Sequence, residues 1–189
     1  MAQVVLDRIT AALGDAVVET SSRRGDEVAI VLRERWLDVC RFVRDDAACA
    51  MDHFLDLTCV DWPKDEARFE VVLILRSTKT SKHVRLKARV PESDPTIASV
   101  TDLWLGANWF EREAFDMFGV RFVGHPDLRR ILLYEEFEGY PLRKDYDASK
   151  QQPLVPYRPE ALDRLPPFGK DEGMPWERPD RPGREHTKG

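Results

Sequence analysis

Glu113, Asp116 and His125 are the residues whose types could carry out acid–base chemistry within one short stretch of the chain. A carboxylate and an imidazole held in one pocket can exchange protons with a substrate, as in a hydrolase. Charged residues on an amphipathic helix more often form a solvated or salt-bridged face, and no G-x-S-x-G nucleophile motif is present. A stand-alone hydrolase therefore stays an alternative that requires a pocket gathering these three groups.

A helix must position the first two of these residues. Its apolar residues recur at i, i+4, i+7 and i+8, which marks one face of a helix, and they are Phe110, Ala114, Met117 and Phe118. Its charged residues are expected to lie largely on the other side, and they are Glu111, Arg112, Glu113 and Asp116. Gly119 follows the last apolar residue and predicts the C-terminal end of the helix.

A turn and a short apolar run follow the predicted helix. Pro126 marks the turn, and residues 131–134 are apolar enough to form a short buried strand. His125 is expected to be a loop histidine whose ring nitrogens are hydrogen-bonded.

Two arginines precede the apolar run. We expect Arg129 or Arg130 to pair with Glu113 or Asp116 and so to tie the helix to the segment that follows.

Composition excludes several classes of protein. The net charge of −5 provides no electrostatic footprint for nucleic acid. Cys40, Cys49 and Cys59 form no C-x-x-C pair, so neither an iron–sulfur cluster nor a zinc site is supported, and buried thiols in a reducing compartment are expected. Cys49 and His53 have the spacing of some metal pairs but lack further ligands nearby.

No apolar run reaches the ~20 residues of a membrane span, and no signal peptide is recognisable, so membrane attachment is expected only through partners.

Periodicity along residues 1–147 predicts an α+β domain, with a mainly antiparallel sheet and helices packed on one face. Besides the helix described above, helices are predicted at residues 5–13, 36–47 and 96–105. Strands are predicted at residues 16–20, 27–33, 54–62, 68–76 and 82–90.

Residues 148–189 are predicted to be an extended, proline-rich C-terminal tail, since eight of the 13 prolines follow residue 150. Such a segment cannot hold a regular helix or a central strand. We expect an arm lying on partner subunits and held there by large apolar residues, namely Tyr157, Leu162, Leu165, Phe168 and Trp176. The alternatives are a disordered, solvated tail and a free binding module whose tail recruits other proteins.

A family resemblance rests on the stretch from residue 108 to residue 146. Its motifs include Glu111-Arg112-Glu113, Gly124-His125-Pro126, Leu128-Arg129-Arg130-Ile131-Leu132 and Gly139-Tyr140-Pro141-Leu142-Arg143-Lys144-Asp145-Tyr146. The stretch resembles the signature of the C subunit of bacterial NADH:quinone oxidoreductase, respiratory complex I. The positions that carry the resemblance, expected to form a partner interface, are Glu111, Arg112, Glu113, Asp116, Gly119, His125, Pro126, Arg129, Arg130, Gly139, Pro141, Arg143, Lys144, Asp145 and Tyr146.

The resemblance implies a structural subunit of the peripheral arm with no catalytic residue, cofactor or metal of its own. FMN, the iron–sulfur clusters, NADH and quinone would then be bound by other subunits, and no Gly-rich dinucleotide fingerprint is present here. The large D subunit of complex I is the chief expected partner, with the B and I subunits as neighbours, at the cytoplasmic face of the bacterial inner membrane. The equivalent subunit of a membrane-bound hydrogenase or of a ferredoxin–plastoquinone oxidoreductase is the alternative.

Overall fold

A computed structural model of the chain describes residues 3–155. The chain divides into two units, Met1–Pro153 and Leu154–Gly189, and the description below concerns the first. The apolar residues expected to hold the C-terminal arm, from Tyr157 to Trp176, lie outside the described residues. An arm on partner subunits therefore stays a prediction.

The described part of the first unit contains three helices and seven strands. The helices are α1 (Gln3–Leu13), α2 (Trp36–Asp45) and α3 (Ala107–Phe118). The strands are β1 (Val17–Arg23), β2 (Asp26–Val31), β3 (His53–Asp61), β4 (Phe69–Arg76), β5 (His83–Val90), β6 (Thr96–Ala98) and β7 (Arg121–Val123). Short 3-10 turns at Gly14–Ala16 and Arg33–Arg35 precede β1 and α2.

Five strands form the main sheet in the order β1-β2-β5-β4-β3. Every neighbouring pair is antiparallel except β2 and β5, which run parallel and are connected through α2, β3 and β4. A separate parallel pair, β6 and β7, flanks α3 in sequence. The predicted α+β class with a mainly antiparallel sheet is confirmed.

The core fills the space between the sheet and the helices. One row of paired strand residues, Ala29, Leu86, Leu73 and Leu57, runs across four strands and is buried. The same apolar cluster contains Ile9 from α1, Trp36 from α2 and Ala114 from α3. Strand residues of the opposite parity, such as Arg85 and Lys87, are more exposed. The helices therefore pack on one face of the sheet, as the alternation along β5 predicts.

The predicted helix at residues 96–105 is wrong. Thr96–Ala98 forms β6, which pairs with β7, and hydrogen-bonded turns occupy residues 101–106. Tertiary pairing overrides the local pattern here, since Ile97 lies opposite Phe122 and both side chains are buried.

All three thiols are buried and free, as predicted for Cys40 and Cys59. Burial raises the pKa of the Cys49 thiol to about 12. His53, its proposed companion, is exposed. Among residues 3–155, no three His, Cys, Asp or Glu side chains come together as a metal-ion site would require.

None of the helices in the described part of the chain is both long enough and apolar enough to cross a membrane.

Candidate functional site

Helix α3 organises the candidate site, and its C-terminus lies where predicted. Gly119 adopts a left-handed conformation with φ of 78°, and its N–H donates to the carbonyl of Phe115 at 2.8 Å. This is the usual glycine stop of a helix.

Asp116 lies on α3 and is fully buried. Its Oδ2 accepts hydrogen bonds from three consecutive backbone N–H groups, those of Ile131, Leu132 and Leu133, at 2.8–3.0 Å. Burial alone would raise the pKa of Asp116, but these N–H groups and Arg130 together bring it below its usual value. The predicted strand at residues 131–134 is therefore wrong, because its backbone donors turn toward a carboxylate instead of a neighbouring strand.

Arg130 neutralises the buried carboxylate. Its Nη1 donates to Asp116 Oδ1 at 2.7 Å, which confirms the predicted ion pair between the helix and the segment that follows. Its Nη2 donates to the carbonyls of Phe137 and Gly139 at 3.0 and 3.1 Å, and its guanidinium lies over the ring of Tyr140. One arginine thus joins α3 to two later parts of the signature stretch.

Arg112 fixes the same segment from its other side. Its Nε and Nη2 donate to the carbonyls of Arg129 and Arg130 at 3.1 and 3.0 Å. The side chain of Arg129 pairs with Asp127 at 2.9 Å in the solvent. Glu113 is exposed and has no ion-pair partner among the described residues.

Glu111 departs from the expected outward face of α3, since it is fully buried. Its Oε1 accepts from the N–H of Val100 and its Oε2 from the hydroxyl of Ser99, each at 2.7 Å. Burial raises the pKa of Glu111 to about 7 despite these two donors. The spacing along α3 could have predicted this burial, because Glu111 follows Ala107 by four positions and precedes Ala114 by three, and both alanines are buried.

His125 lies in the turn after β7, and both of its ring nitrogens are occupied. Nε2 lies 3.1 Å from the carbonyl of Asn108, and Nδ1 accepts from the N–H of Asp127 at 3.0 Å. The prediction of a loop histidine with a hydrogen-bonded ring is confirmed. Because Nδ1 is an acceptor here, Nε2 is the ring nitrogen placed to donate to the carbonyl of Asn108.

The segment from residue 139 to residue 146 closes over the end of α3. Arg143 Nε donates to the carbonyl of Phe118 at 2.6 Å, and its guanidinium lies between the rings of Tyr140 and Phe69, 4.6 and 4.8 Å from their centroids. A Cβ added to Gly119 would lie only 2.6 Å from the Tyr140 ring and 2.7 Å from Nη2 of Arg143. Glycine is thus required at this position by its φ angle and by the approach of two side chains.

A second ion-pair cluster, not foreseen from the sequence, anchors the end of this segment; Arg68 and Asp61 are buried in it, whereas Asp145 and Glu92 are largely exposed. Arg68 binds both oxygens of the buried Asp61 at 2.7 and 2.9 Å, and both oxygens of Asp145 at 2.6 and 3.0 Å. Asp61 Oδ2 also accepts from the N–H of Lys144 at 2.7 Å, and Arg68 reaches Glu92 at 2.8 Å. The Arg68 hydrogen bonds lower the pKa of both Asp61 and Asp145. No local pattern marks the pairing of Arg68 with Asp145, because 77 positions separate them.

The remaining signature positions lie in loops. The rings of Tyr146 and Phe137 stack with their centroids 6.2 Å apart. A Cβ added to Gly139 would lie 3.0 Å from the ring of Tyr146. Pro126 is exposed and Pro141 half-buried.

Together these contacts do not form an acid–base site from Glu113, Asp116 and His125. Asp116 is saturated by four donors, and Glu113 faces solvent. The ring nitrogens of His125 contact the backbone on both sides. The hydrolase alternative required one pocket that gathers these groups, and the geometry contradicts it.

Three large apolar side chains of the same region are exposed. Trp109 is 69% exposed and lies one helical turn before Arg112, which holds the segment leading to Leu132. Leu105, just before α3, is 89% exposed, and Leu132 is 62% exposed. Large exposed apolar side chains are typical of a protein–protein contact.

Comparisons with known proteins agree with this architecture. Residues 29–152 match the family model described as "Respiratory-chain NADH dehydrogenase, 30 Kd subunit". The C subunit of NADH-quinone oxidoreductase from Roseiflexus sp. (strain RS-1) is 42% identical over 167 residues, which cover 88% of this chain and 96% of that protein. Its counterpart in Roseiflexus castenholzii (strain DSM 13941 / HLO8) is 45% identical over 168 residues, with the same coverage of each chain.

Two solved structures are similar to the chain. The trypsin-resistant fragment (1-134) of Nqo5 superimposes with a TM-score of 0.58 at 30% identity, covering 66% of this chain and 99% of that chain. A chain of the membrane-bound sulfane sulfur reductase, an archaeal respiratory membrane complex, has a TM-score of 0.66 at 24% identity, covering 91% of this chain and 96% of that chain. At that identity the second likeness concerns the fold alone. From the matched family and the two Roseiflexus relatives, the chain belongs to the 30 kDa subunit family of the respiratory-chain NADH dehydrogenase, which includes the C subunit of NADH-quinone oxidoreductase.

Proposed function

We propose that this chain acts in respiratory complex I as a structural subunit of the peripheral arm, without catalytic residues or redox centres of its own. The observation that carries the proposal is that three charged signature residues, Arg112, Asp116 and Arg130, make their hydrogen bonds within the chain itself. Asp116 and Arg130 bind each other and the backbone of their own chain, and Arg112 binds the same segment. Groups used in this way stabilise a surface and are not free to act on a substrate.

The surface supported by these groups binds the partner. Leu105, Trp109 and Leu132 form its exposed apolar part, and we call these three residues the α3 patch. A well-packed aromatic residue surrounded by smaller contacts is the usual energetic centre of a protein interface. The D subunit is the proposed occupant of the α3 patch, and the B and I subunits lie nearby in the same arm.

The redox cofactors belong to the partners in this proposal. FMN, the iron–sulfur clusters, NADH and quinone are bound by other subunits, and this chain supports electron transfer by holding the assembly together. It lies at the cytoplasmic face of the inner membrane and reaches the membrane only through those partners.

A pull-down of the tagged full-length chain from solubilised native membranes tests this proposal. Recovery of a multisubunit assembly with NADH:quinone activity, while the isolated chain is colourless and inert, is the expected result. A chain that purifies alone and turns over a substrate would overturn it. Recovery of hydrogenase or ferredoxin–plastoquinone oxidoreductase subunits would move the chain to the alternative complex, although the relatives at 42% and 45% identity carry the NADH-quinone name.

The α3 patch has its own test. Trp109→Ala is expected to reduce the amount of the D subunit recovered with the tagged chain by at least about tenfold, since an interface tryptophan commonly contributes about 2 kcal/mol or more. Trp62→Ala is the matched control, because Trp62 is also exposed but lies at the end of β3. Equal recovery of the D subunit with both variants would remove the α3 patch from the interface.

A further inference from the structure

The face of the sheet that points away from the helices carries a groove at the turn between β1 and β2. Ser21, Val28 and Arg85 are paired across three adjacent strands, so their side chains project to the same side. Their neighbours Ala29 and Leu86 point into the helix-packed core. The groove has a volume of about 580 Å³ and is lined by Ser21, Arg23, Arg24, Asp26, Val28 and Arg85.

The turn at the end of the groove directs an arginine to its rim. Arg24 and Gly25 connect β1 to β2 and have φ angles of 55° and 90°. Positive φ at both central residues is the geometry of the tight turns that join twisted antiparallel strands. Because the paired strands hold both ends of this turn, Arg24 is presented by a rigid element.

The groove concentrates positive charge that lacks a partner. Within residues 3–155, Arg23, Arg24 and Arg85 have no carboxylate oxygen within 4 Å of a guanidinium nitrogen. The next two cations along β5 differ, since Lys87 and Arg89 bind Glu70 at 2.7 and 3.1 Å.

Three arginines against one acid, Asp26, leave the groove positive in a chain whose net charge is −5.

We propose that this hairpin groove binds a carboxylate-bearing segment of a partner subunit. The inference rests on the proposed function, since it requires the chain to lie within an assembly. Guanidinium groups bind carboxylates through paired hydrogen bonds, and the groove has three guanidinium groups. Val28 also lines the groove and suits an apolar side chain of the same segment.

Charge distribution favours a protein segment over other anions. An anionic lipid surface is usually bound by clusters of about four to eight basic residues, and nucleic acid by a domain of net positive charge. This groove has three arginines and an acid, and the chain as a whole is negative. A short acidic segment matches the number of cations and the limited volume.

A charge-reversal experiment in the full chain tests the ion pairs. The double variant Arg24→Glu/Arg85→Glu is expected to reduce the recovery of partner subunits by about tenfold or more, because like charges then face each other at the contact. Arg41→Glu/Arg121→Glu is the matched control: it changes the net charge equally, and both arginines are exposed, on α2 and β7. The control is expected to assemble within about twofold of wild type, and thermal melts of both variants establish that they fold.

A photo-crosslinker identifies the occupant directly. Benzoylphenylalanine is incorporated at Ser21 in the full-length chain, and the assembled complex is irradiated and analysed by mass spectrometry. The expected adduct joins Ser21 to a peptide of another subunit that contains Asp or Glu.

An adduct to lipid or nucleic acid, or an assembled complex with no adduct, overturns the inference and leaves the proposed function intact. A wild-type chain that brings down no other subunit overturns the proposed function itself.

Discussion

Arg130 and Asp116 form an ion pair at 2.7 Å in which the carboxylate is fully buried and the guanidinium is mostly buried. The second carboxylate oxygen accepts hydrogen bonds from three consecutive backbone N–H groups. The negative charge of Asp116 is therefore neutralised by the Arg130 side chain and further stabilised by the backbone of the loop. A buried charge is tolerated only when it is paired and its lone pairs are satisfied, and both conditions are met here. The pair therefore determines the path of residues 130–133 past α3.

Asp116→Asn is expected to lower the free energy of unfolding by about 3–5 kcal/mol, because the buried guanidinium loses its counter-charge and the amide NH2 must face a donor, either Arg130 or the backbone N–H groups. Urea unfolding followed by circular dichroism measures the change. Glu113→Gln is the control on the same helix, and its exposed side chain predicts a change within about 0.5 kcal/mol. Similar effects of the two substitutions would contradict the assigned role of Asp116.

Much of the fold follows from local patterns. Alternation predicts β5 because one face of that strand is dry, and the spacing of Trp36, Cys40 and Val43 predicts α2 because they pack into one core. The helix stop at Gly119 is also local. These elements could be predicted from the sequence because each is determined by its own burial pattern or its own terminal residue.

The rest depends on partners distant in the chain. The backbone of residues 131–133 is directed by Asp116, and β6 forms because β7 lies beside it. The local pattern places Arg68 at the start of a strand, and its role as an ion-pair centre depends on Asp145, which is distant in the chain. Glu111 occupies a core position of α3 because Ser99 and Val100 supply its donors, and composition alone places an acid outside.

Gly119→Ala separates backbone strain from side-chain crowding when it is compared with Gly124→Ala. Both glycines have positive φ, 78° and 90°, but a Cβ at Gly124 meets nothing within 4 Å, whereas one at Gly119 lies 2.6 Å from the ring of Tyr140. Gly124→Ala is expected to lower stability by about 1 kcal/mol, the usual penalty for alanine at positive φ. Gly119→Ala is expected to lower it by about 1–3 kcal/mol more, because it also displaces Tyr140 and Arg143.

Thermal and urea unfolding of the two glycine variants provide the comparison. Equal losses would mean that the Tyr140 and Arg143 side chains move aside without penalty and do not hold the 139–146 segment against α3.

Glu111 makes stability depend on pH between its pKa in the unfolded chain and its folded pKa of about 7. In this interval the folded protein keeps a proton that the unfolded chain releases, so stability falls as the pH rises from about 4.5 to 7 and then levels off. Glu111→Gln removes the titration; its amide oxygen still accepts from the N–H of Val100, and its NH2 group donates to the Ser99 hydroxyl in place of accepting from it. Its stability relative to wild type is expected to rise by roughly 2 kcal/mol from pH 5 to pH 8, by linkage at about 1.4 kcal/mol per pKa unit.

Urea unfolding of Glu111→Gln and wild type at both pH values measures this difference. Glu113→Gln is again the control, and its difference from wild type is expected not to vary with pH. A constant difference for Glu111→Gln would mean that Glu111 is already ionised in the folded protein at pH 5.

Arg68→Lys tests whether the 139–146 segment is held by a bidentate group or by charge alone. A lysine keeps the charge but cannot bind two carboxylates through paired hydrogen bonds, as Arg68 does with Asp61 and Asp145. The variant is expected to lose about 2–4 kcal/mol of stability, since Asp61 remains buried with incomplete donors. Arg121→Lys, at an exposed position on β7, is the control and is expected to be neutral.

Two further readouts distinguish this role from a general loss of packing. Limited trypsin digestion is expected to cut the Arg68→Lys chain first at Arg143 or Lys144, because the segment detaches from the end of α3 before the core unfolds. In wild type, Arg68 lowers the pKa of Asp61 and Asp145, so its contribution is complete above the ordinary aspartate pKa of about 3.9 and is lost as the pH falls through the lowered values. The stability of the lysine variant is therefore expected to approach that of wild type in acid. An unchanged gap at low pH, together with uniform digestion, would show that Arg68 acts through packing and not through its two carboxylates.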